Sequence, residues 1–116
     1  MMGLMMKRGD IYFLNLDPTV GKEIKKTRPV VIVSNNANNK VSETITVVPI
    51  TSNTKKVYPF EVLLKKSESG LSKDSKAQCQ QIRTVSIERV SGRMTGSLDE
   101  ELMEKINHAI RLHLAL

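Results

Sequence analysis

The pattern of apolar and polar residues along the chain predicts six short strands followed by one helix. Apolar and often β-branched runs bounded by turn residues predict strands at residues 11–16, 30–34, 44–50, 60–64, 76–85 and 90–94. We expect one helical turn in the Asn-rich segment after the second strand and another at residues 86–90, but only turns at residues 65–75. Pro49 inside the third strand favours a sheet edge or a bend, because proline cannot donate to a β-ladder.

The helix is predicted for the end of the chain, where apolar residues recur at helical spacing. These residues are Leu98, Leu102, Ile106, Ala109 and Ile110. Ser97 is the predicted N-cap, because Glu100 follows three residues later and completes a capping box. Acidic residues fill the first turn of this helix, where the helix dipole favours negative charge.

This order of elements predicts a fold that is mainly β, a small antiparallel barrel or sandwich closed by one terminal helix. The alternation of strands and helices that marks a parallel α/β sheet is absent. A length of 116 residues suits one domain, spanning residues 1–116. The apolar start at residues 1–6 is too short for a membrane span or a signal peptide, so we expect a loose leader, no membrane contact and a cytoplasmic protein.

The chain is basic, with a formal net charge of +6 and a pI near 9.6. A small basic domain favours a polyanionic partner such as nucleic acid, although this charge also serves solubility. Cys79 is the single cysteine, so no disulfide can form within the chain, which fits a reducing compartment. We expect Cys79 to behave as a small buried hydrophobe and not as a reactive thiol.

Several kinds of catalytic site are excluded by what the sequence lacks. It contains no glycine-rich phosphate loop and no set of His, Cys, Asp and Glu with the spacing of metal ligands. His108 and His113 lie five residues apart on the predicted helix, so they do not share one face, and we expect both at the surface. Tyr58 and Phe60 either stack on a nucleobase or pack at the rim of the sheet, and packing is favoured for Phe60.

Polar and basic side chains gather at three places: before the second strand, after the third, and along the fifth. They are Lys22, Glu23, Lys25, Lys26 and Arg28; Thr51, Ser52, Asn53 and Thr54; and Gln78, Gln80, Gln81 and Arg83. The ends of neighbouring strands can bring such groups together over one face. Hydroxyls and amides suit base edges and phosphate oxygens, and the planar donor fork of arginine suits a phosphate.

Arg28 and Thr51 each have two interpretations at this point. Pro29 follows Arg28, fixes its own φ near ~−65° and biases Arg28 toward an extended backbone. Arg28 could then form a structural ion pair or bind a phosphate. Thr51 could contact a substrate, or its hydroxyl could cap the backbone of the turn that follows.

The chain resembles the MazF/PemK/Kid toxin family, the ribosome-independent endoribonucleases of toxin–antitoxin systems. The resemblance rests on KRGDIYFLNLDPTVGKE, then RPVVIVSN, VVPIT and QIRTVS, in this order before a terminal amphipathic helix, and it runs from about Met6 to the C-terminus. It implies an SH3-like barrel of the CcdB/Kid/MazF type with a C-terminal helix, and a homodimer. It also implies cleavage of single-stranded RNA such as mRNA at a short sequence, without a metal or other cofactor, and inhibition by the acidic tail of a cognate MazE-like antitoxin.

The resemblance also implies roles for individual residues. Arg28 of the Arg-Pro pair and Thr51 of VVPIT match the catalytic residues of the family. We expect contacts with RNA from Glu23, Lys25, Lys26, Ser52, Gln80 and Gln81. Many members carry an acidic residue just before the glutamine of QIRT, which Kid-like members use in catalysis. Gln80 occupies this position here and cannot act as a general base.

The reaction implied is transesterification, in which the 2′-hydroxyl attacks the adjacent phosphorus and leaves a 2′,3′-cyclic phosphate and a 5′-hydroxyl. Arg28 fits the stabilisation of negative charge on the phosphoryl oxygens. Neither its guanidinium nor the hydroxyl of Thr51 is an effective base. Two alternatives remain: a non-catalytic toxin of the same fold that binds a protein such as DNA gyrase, and a small RNA-binding barrel without activity.

Overall fold

The computed structural model describes residues 6–116 and contains seven strands, three α-helices and two short 3-10 turns. The strands are β1 Asp10–Asn15, β2 Thr27–Ile32, β3 Thr44–Thr51, β4 Glu61–Leu64, β5 Ser75–Gln78, β6 Arg83–Ser86 and β7 Val90–Ser97. The helices are α1 Asn36–Val41, α2 Lys66–Ser69 and α3 Glu100–Leu114, and the 3-10 turns are Cys79–Gln81 and Ile87–Arg89. The expected helical turn after the second strand and the one at residues 86–90 are both present. Residues 65–75, expected to be turns only, contain α2.

The strands form one antiparallel sheet in the order β4-β5-β3-β2-β1-β7, and β6 pairs with the outer side of β3 beside β5. Within the described residues β4 and β7 do not pair, so the sheet is not closed into a ring. The predicted fold class, mainly β with one C-terminal helix, is confirmed. Pro49 lies where the outer partner of β3 changes from β6 to β5, so no ladder hydrogen bond is interrupted there.

Two apolar cores lie on the two faces of the sheet, because alternate residues of each strand point to opposite sides. Val31 and Val48 belong to one core, whereas their neighbours Val30 and Val47 belong to the other. Burial on both faces explains why the sequences of β2 and β3 read as nearly continuous apolar runs. Met6, at the end of the expected leader, is buried in the second core, and residues 1–5 lie outside the described part of the chain.

Helix α3 covers the first core with Leu102, Ile106 and Ala109, which are buried. The predicted N-cap at Ser97 is wrong, because Ser97 pairs with Asp10 in the sheet. The cap is Asp99, whose carboxylate accepts a hydrogen bond from the backbone N–H of Leu102 at 2.9 Å. Of the helices in residues 6–116, none is long and apolar enough to cross a membrane.

The predicted fifth strand, residues 76–85, is divided in the structure by the 3-10 turn Cys79–Gln81. Ala77 of β5 pairs with Ile50 of β3, whereas Arg83 of β6 pairs with Val47. More residues lie between Ala77 and Arg83 than between their partners Ile50 and Val47 on β3, and the 3-10 turn accommodates the additional residues. The side chains of Gln80 and Gln81 consequently leave the alternation of a regular strand.

Replacing Ile106 by alanine should lower the free energy of unfolding by about 2–5 kcal/mol, because it opens a cavity between α3 and the sheet. Urea unfolding at a fixed protein concentration measures the change. Lys105→Ala is the control, since Lys105 on the same helix is exposed and its truncation should cost less than ~1 kcal/mol. Equal losses in the two variants would contradict the described packing of α3.

Candidate functional site

Arg28 and Thr51 lie at the same end of two neighbouring strands. Val30 of β2 pairs with Pro49 of β3, and the ladder ends there; the same register continued by two residues would place Arg28 opposite Thr51. Opposite residues of an antiparallel pair project from the same face of the sheet. On its other side Thr51 pairs directly with Lys76 of β5. The fold therefore brings the arginine of the Arg-Pro pair and the threonine of VVPIT to the same end of the β2–β3 pair.

The guanidinium of Arg28 is oriented by the backbone of the loop that precedes it. Its Nε donates a hydrogen bond to the carbonyl oxygen of Lys25 at 3.0 Å. Among residues 6–116 neither of its terminal nitrogens has a hydrogen-bond partner, and Arg28 forms no ion pair. The side chain is half-buried and lines a cavity of about 450 Å³ together with Phe13, Pro29 and Ser52. An arginine held in this way can present both terminal nitrogens to an anion.

The hydroxyl of Thr51 caps the turn that follows β3. Its Oγ1 accepts a hydrogen bond from the backbone N–H of Asn53 at 3.3 Å. The turn-capping interpretation is therefore correct for the oxygen, while the hydroxyl hydrogen remains available to a second partner. Ser52 is exposed and borders the same cavity as Arg28.

A second cavity, of about 650 Å³, is lined by Glu23, Gln80 and Gln81, three of the residues expected to contact RNA. Glu23 uses one carboxylate oxygen to accept from the backbone N–H of Val20 at 2.7 Å. Gln81 accepts from the N–H of Ile24 at 3.3 Å and donates to the carbonyl oxygen of Lys22 at 3.4 Å. The side chain of Gln81 thus holds residues 16–26, the basic loop between β1 and β2, against the sheet.

The basic loop connects the two cavities. Lys25 and Lys26 are exposed on it, and the carbonyl oxygen of Lys25 receives the bond from Arg28. Lys26 has a φ of 71°, in the left-handed region that few non-glycine residues adopt. Its carbonyl oxygen accepts from the N–H of Leu16 at 3.0 Å, which closes the loop just before β2. The predicted site residues therefore form two groups, joined by a lysine-bearing loop whose base is fixed.

Sequence reasoning missed a buried polar network next to Thr51. Glu61 of β4 accepts hydrogen bonds from the Nζ of Lys76 at 2.9 Å and from the backbone N–H of Tyr58 at 3.0 Å. It also accepts from the side-chain amides of Gln80 at 2.7 Å and Gln78 at 3.4 Å. The available signal was the alternation of Lys76 and Gln78 with apolar residues, which indicates a polar face on β5.

Glu61 stays ionised inside this network. Burial by itself would raise the pKa of the carboxyl, but the hydrogen bonds from Gln80, Lys76, Tyr58 and Gln78 outweigh it and lower the pKa below its ordinary value. A lowered pKa in the folded state means that the carboxylate stabilises the fold at neutral pH. This contribution is lost as the pH falls through the lowered pKa.

Tyr58, Phe60 and the two histidines do not line the Arg28 cavity, whose aromatic lining residue is Phe13. The rings of Tyr58 and Phe60 stack with centroids 5.3 Å apart and planes at 6°, and the Nζ of Lys56 lies 5.0 Å from the centroid of Tyr58. His113 packs against Phe60 with ring centroids 6.3 Å apart, and His108 is exposed. In the part of the chain that the structure describes, no group of three or more His, Cys, Asp or Glu is arranged to hold a metal ion.

Comparison with known proteins gives one consistent result. A sequence profile described as "PemK-like, MazF-like toxin of type II toxin-antitoxin system" matches residues 7–114. The endoribonuclease MazF9 of Mycobacterium tuberculosis is 44% identical over 117 residues, covering 97% of this chain and 98% of the relative. The endoribonuclease EndoA of Bacillus subtilis is 37% identical over 114 residues, covering 97% of each chain. A solved mycobacterial endoribonuclease in complex with its cognate antitoxin has a TM-score of 0.78 and 26% identity, covering 95% of each chain.

The thiol of Cys79 should be unreactive in the folded protein. Burial raises its pKa to about 12, with a further contribution from the negative charge of Glu61. Because the thiolate is the reactive species, modification by Ellman's reagent at pH 8 should be roughly a thousandfold slower than in the chain unfolded in urea. Labelling of the folded protein at the rate of the unfolded control would show that Cys79 is accessible.

Proposed function

The chain belongs to the family of PemK-like, MazF-like toxins of type II toxin–antitoxin systems, and from this membership and the site we propose that it is a sequence-specific endoribonuclease of single-stranded RNA. Its curated relatives of 44% and 37% identity are endoribonucleases. The observation that carries the proposal is the register of β2 and β3, which would bring Arg28 opposite Thr51 if continued two residues beyond the pair Val30 and Pro49. We further propose that mRNA is the substrate and the cytoplasm the compartment.

We propose that Arg28 stabilises the charge that develops when the 2′-hydroxyl of the substrate attacks the adjacent phosphorus. The negative charge grows on the phosphoryl oxygens, and the two unpartnered terminal nitrogens of Arg28 can donate to them. The Nε bond to Lys25 fixes the guanidinium before the substrate arrives, so little reorganisation is needed during the reaction. The 5′-oxygen then leaves, which gives a 2′,3′-cyclic phosphate and a 5′-hydroxyl.

Thr51 has a smaller role in this proposal. Its oxygen is held by the N–H of Asn53, so its hydrogen can point to a phosphoryl oxygen and orient the group for attack by the neighbouring 2′-hydroxyl. The nucleophile belongs to the RNA, and the protein therefore needs no nucleophilic side chain. Positioning and charge stabilisation carry the rate, and no metal is required in the proposed step.

RNA binding precedes this chemistry and depends on the basic loop. Lys25 and Lys26 are exposed, and along the chain they lie between Ile24, which lines the second cavity, and Arg28, which lines the first. We propose that the phosphate backbone of the RNA passes over them to reach Arg28. Glu23 and Gln81 line the second cavity and Ser52 borders the first, so we propose that these three side chains contact nucleotides on either side of the scissile phosphate and determine the base preference. Gln80 also lines the second cavity, but its amide is held by Glu61 and its oxygen is buried.

We also propose two protein partners. A related mycobacterial endoribonuclease was solved with its cognate antitoxin, and a net charge of +6 on this chain favours an acidic antitoxin tail that covers the RNA site. A second copy of the chain is the other partner. Apolar side chains at the end of α3, Leu112, Leu114 and Leu116, are exposed and suit an interface between copies.

The purified protein should cleave a long single-stranded RNA in the presence of EDTA, leaving 5′-hydroxyl and 2′,3′-cyclic phosphate ends. Arg28→Ala should lower kcat by roughly 10²–10³-fold, the effect of removing one charge-stabilising donor in comparable sites. Arg111→Ala is the matched control, because Arg111 is exposed on α3. Thr51→Ala should slow cleavage while the midpoint of thermal unfolding stays within a few degrees of the wild type.

The outcomes separate the proposal from its alternatives. RNA binding without cleavage by the wild type would indicate a non-catalytic RNA-binding barrel. If the wild type neither binds nor cleaves RNA, the remaining alternative is a toxin that acts on a protein such as DNA gyrase. A collapse in the stability of Thr51→Ala would make Thr51 a structural residue only.

The affinity for RNA should fall with salt, and Lys25 and Lys26 should each account for part of the dependence. Replacing both by alanine should make the slope of log K against log salt shallower by ~1.4, about 0.7 for each phosphate that a lysine no longer neutralises. Fluorescence anisotropy with an RNA that carries 2′-O-methyl groups, and so cannot be cleaved, measures this slope. An unchanged slope, equal to that of the Lys105→Ala control on α3, would show that the lysines of the basic loop do not contact the bound RNA.

A further inference from the structure

The ion pair between Lys76 and Glu61 has no part in the proposed reaction, yet it is buried beside the site. The two side chains are 9% and 1% exposed, and Lys76 is the strand partner of Thr51. Burying two charges costs several kcal/mol each in desolvation, and apolar residues of similar size often stabilise a fold equally well. Stability alone therefore does not account for charges at this position.

Lys76 and Glu61 both bond to the loop that follows Thr51. The Nζ of Lys76 donates to the carbonyl oxygen of Lys56 at 2.5 Å as well as to Glu61. Glu61 accepts from the backbone N–H of Tyr58, two residues further along the same loop. The first bond ties residues 52–60, the loop between β3 and β4, to β5, the strand next to Thr51, and the second ties the end of this loop to the first residue of β4. The hydrogen bond from Asn53 to Thr51 lies at the start of this loop.

Glu61 also bonds to Gln80, which lines the second cavity. The amide nitrogen of Gln80 donates to Glu61 at 2.7 Å, which fixes the orientation of the amide because the opposite orientation would set two oxygens together. Within residues 6–116 the oxygen of this amide is buried and has no partner, an arrangement that costs roughly 1–3 kcal/mol. Gln81 follows directly and holds the basic loop through Ile24 and Lys22.

We infer that Lys76 and Glu61 are positioning residues of the reaction, whose ion pair fixes the 52–60 loop and the Gln80–Gln81 segment relative to Arg28 and Thr51. The inference rests on the proposed function. Glu61 accepts hydrogen bonds from both segments, through Tyr58 and Gln80, and Lys76 adds the bond to Lys56. Loss of Glu61 frees both segments, and loss of Lys76 frees the 52–60 loop, so in each case the phosphate and the attacking 2′-hydroxyl are less well aligned.

The expected signature is a fall in kcat with little change in KM, because the lysines of the basic loop that bind RNA are untouched. Lys76→Met and Glu61→Gln should each lower kcat by roughly 10–100-fold and change KM less than about threefold. Lys76→Arg keeps the charge and should recover much of the rate. Lys65→Met, an exposed lysine at the start of α2, is the matched control and should act as the wild type.

A double variant distinguishes positioning from a structural role. Lys76→Met combined with Glu61→Gln leaves no buried charge and keeps an amide oxygen that can accept from the N–H of Tyr58, so it should fold more stably than either single variant. Positioning predicts that this stable variant remains slow in cleavage of a short fluorogenic RNA. A double variant that regains both stability and kcat would overturn the inference, and so would single variants that fold and cleave at the wild-type rate.

Amide exchange gives a readout that does not depend on activity. The N–H groups of Tyr58 and Asn53 bond to Glu61 and Thr51, so both should exchange faster in Lys76→Met than in the wild type, while the N–H of Leu102 at the cap of α3 should not change. A wild type that fails to cleave RNA would defeat the proposed function, whereas unchanged exchange at Tyr58 and Asn53 would defeat the positioning role separately.

Discussion

The pairing of β2 with β3 is the interaction on which both the fold and the site depend. These two strands are buried on both faces, and their side chains alternate between two separate cores. A slip of one residue would move every apolar side chain of one strand to the wrong core, so the register is strongly determined by hydrophobic burial. Continued past its last pair, Val30 with Pro49, the same register would place Arg28 opposite Thr51 just beyond the buried region. Packing energy in the cores thus fixes the position of a guanidinium at the surface.

The polar residues around Arg28 and Thr51 have different roles in the proposed site. The backbone carbonyl of Lys25 orients Arg28, and the amide of Gln81 holds the loop itself. The lysines of the loop remain exposed and carry the positive charge that attracts a polyanion. Glu61 and Lys76 are withdrawn from solvent and act through the segments that they hold. The proposed mechanism thus assigns attraction of RNA and alignment of the phosphate to different residues, so each can be altered without the other.

Much of the fold was predictable because burial leaves a direct pattern in the sequence. The apolar runs gave β1 to β4, and the spacing from Leu98 to Ile110 gave α3. Two predictions failed where pairing between distant segments overrides local preference. Ser97 is a suitable N-cap but is held in the sheet by Asp10, and residues 76–85 alternate as a strand but must turn to keep register with β3. Arg28 and Thr51 were recognisable as candidates, although their placement at the same end of the β2–β3 pair required the register. The contact of Glu61 with Lys76 and Gln80 was not predictable, because it arises only when β4 pairs with β5.

The central claim is that Arg28 and Thr51 act together on one phosphate, and a double-mutant cycle on kcat/KM for RNA cleavage tests it most directly. The cycle compares Arg28→Ala, Thr51→Ala and the variant that carries both changes. Residues that act as a unit give strongly non-additive effects, so the double variant should be little slower than Arg28→Ala alone. If the two effects instead multiply in full, the residues act independently, and their positions at the same end of β2 and β3 do not form a shared phosphate site.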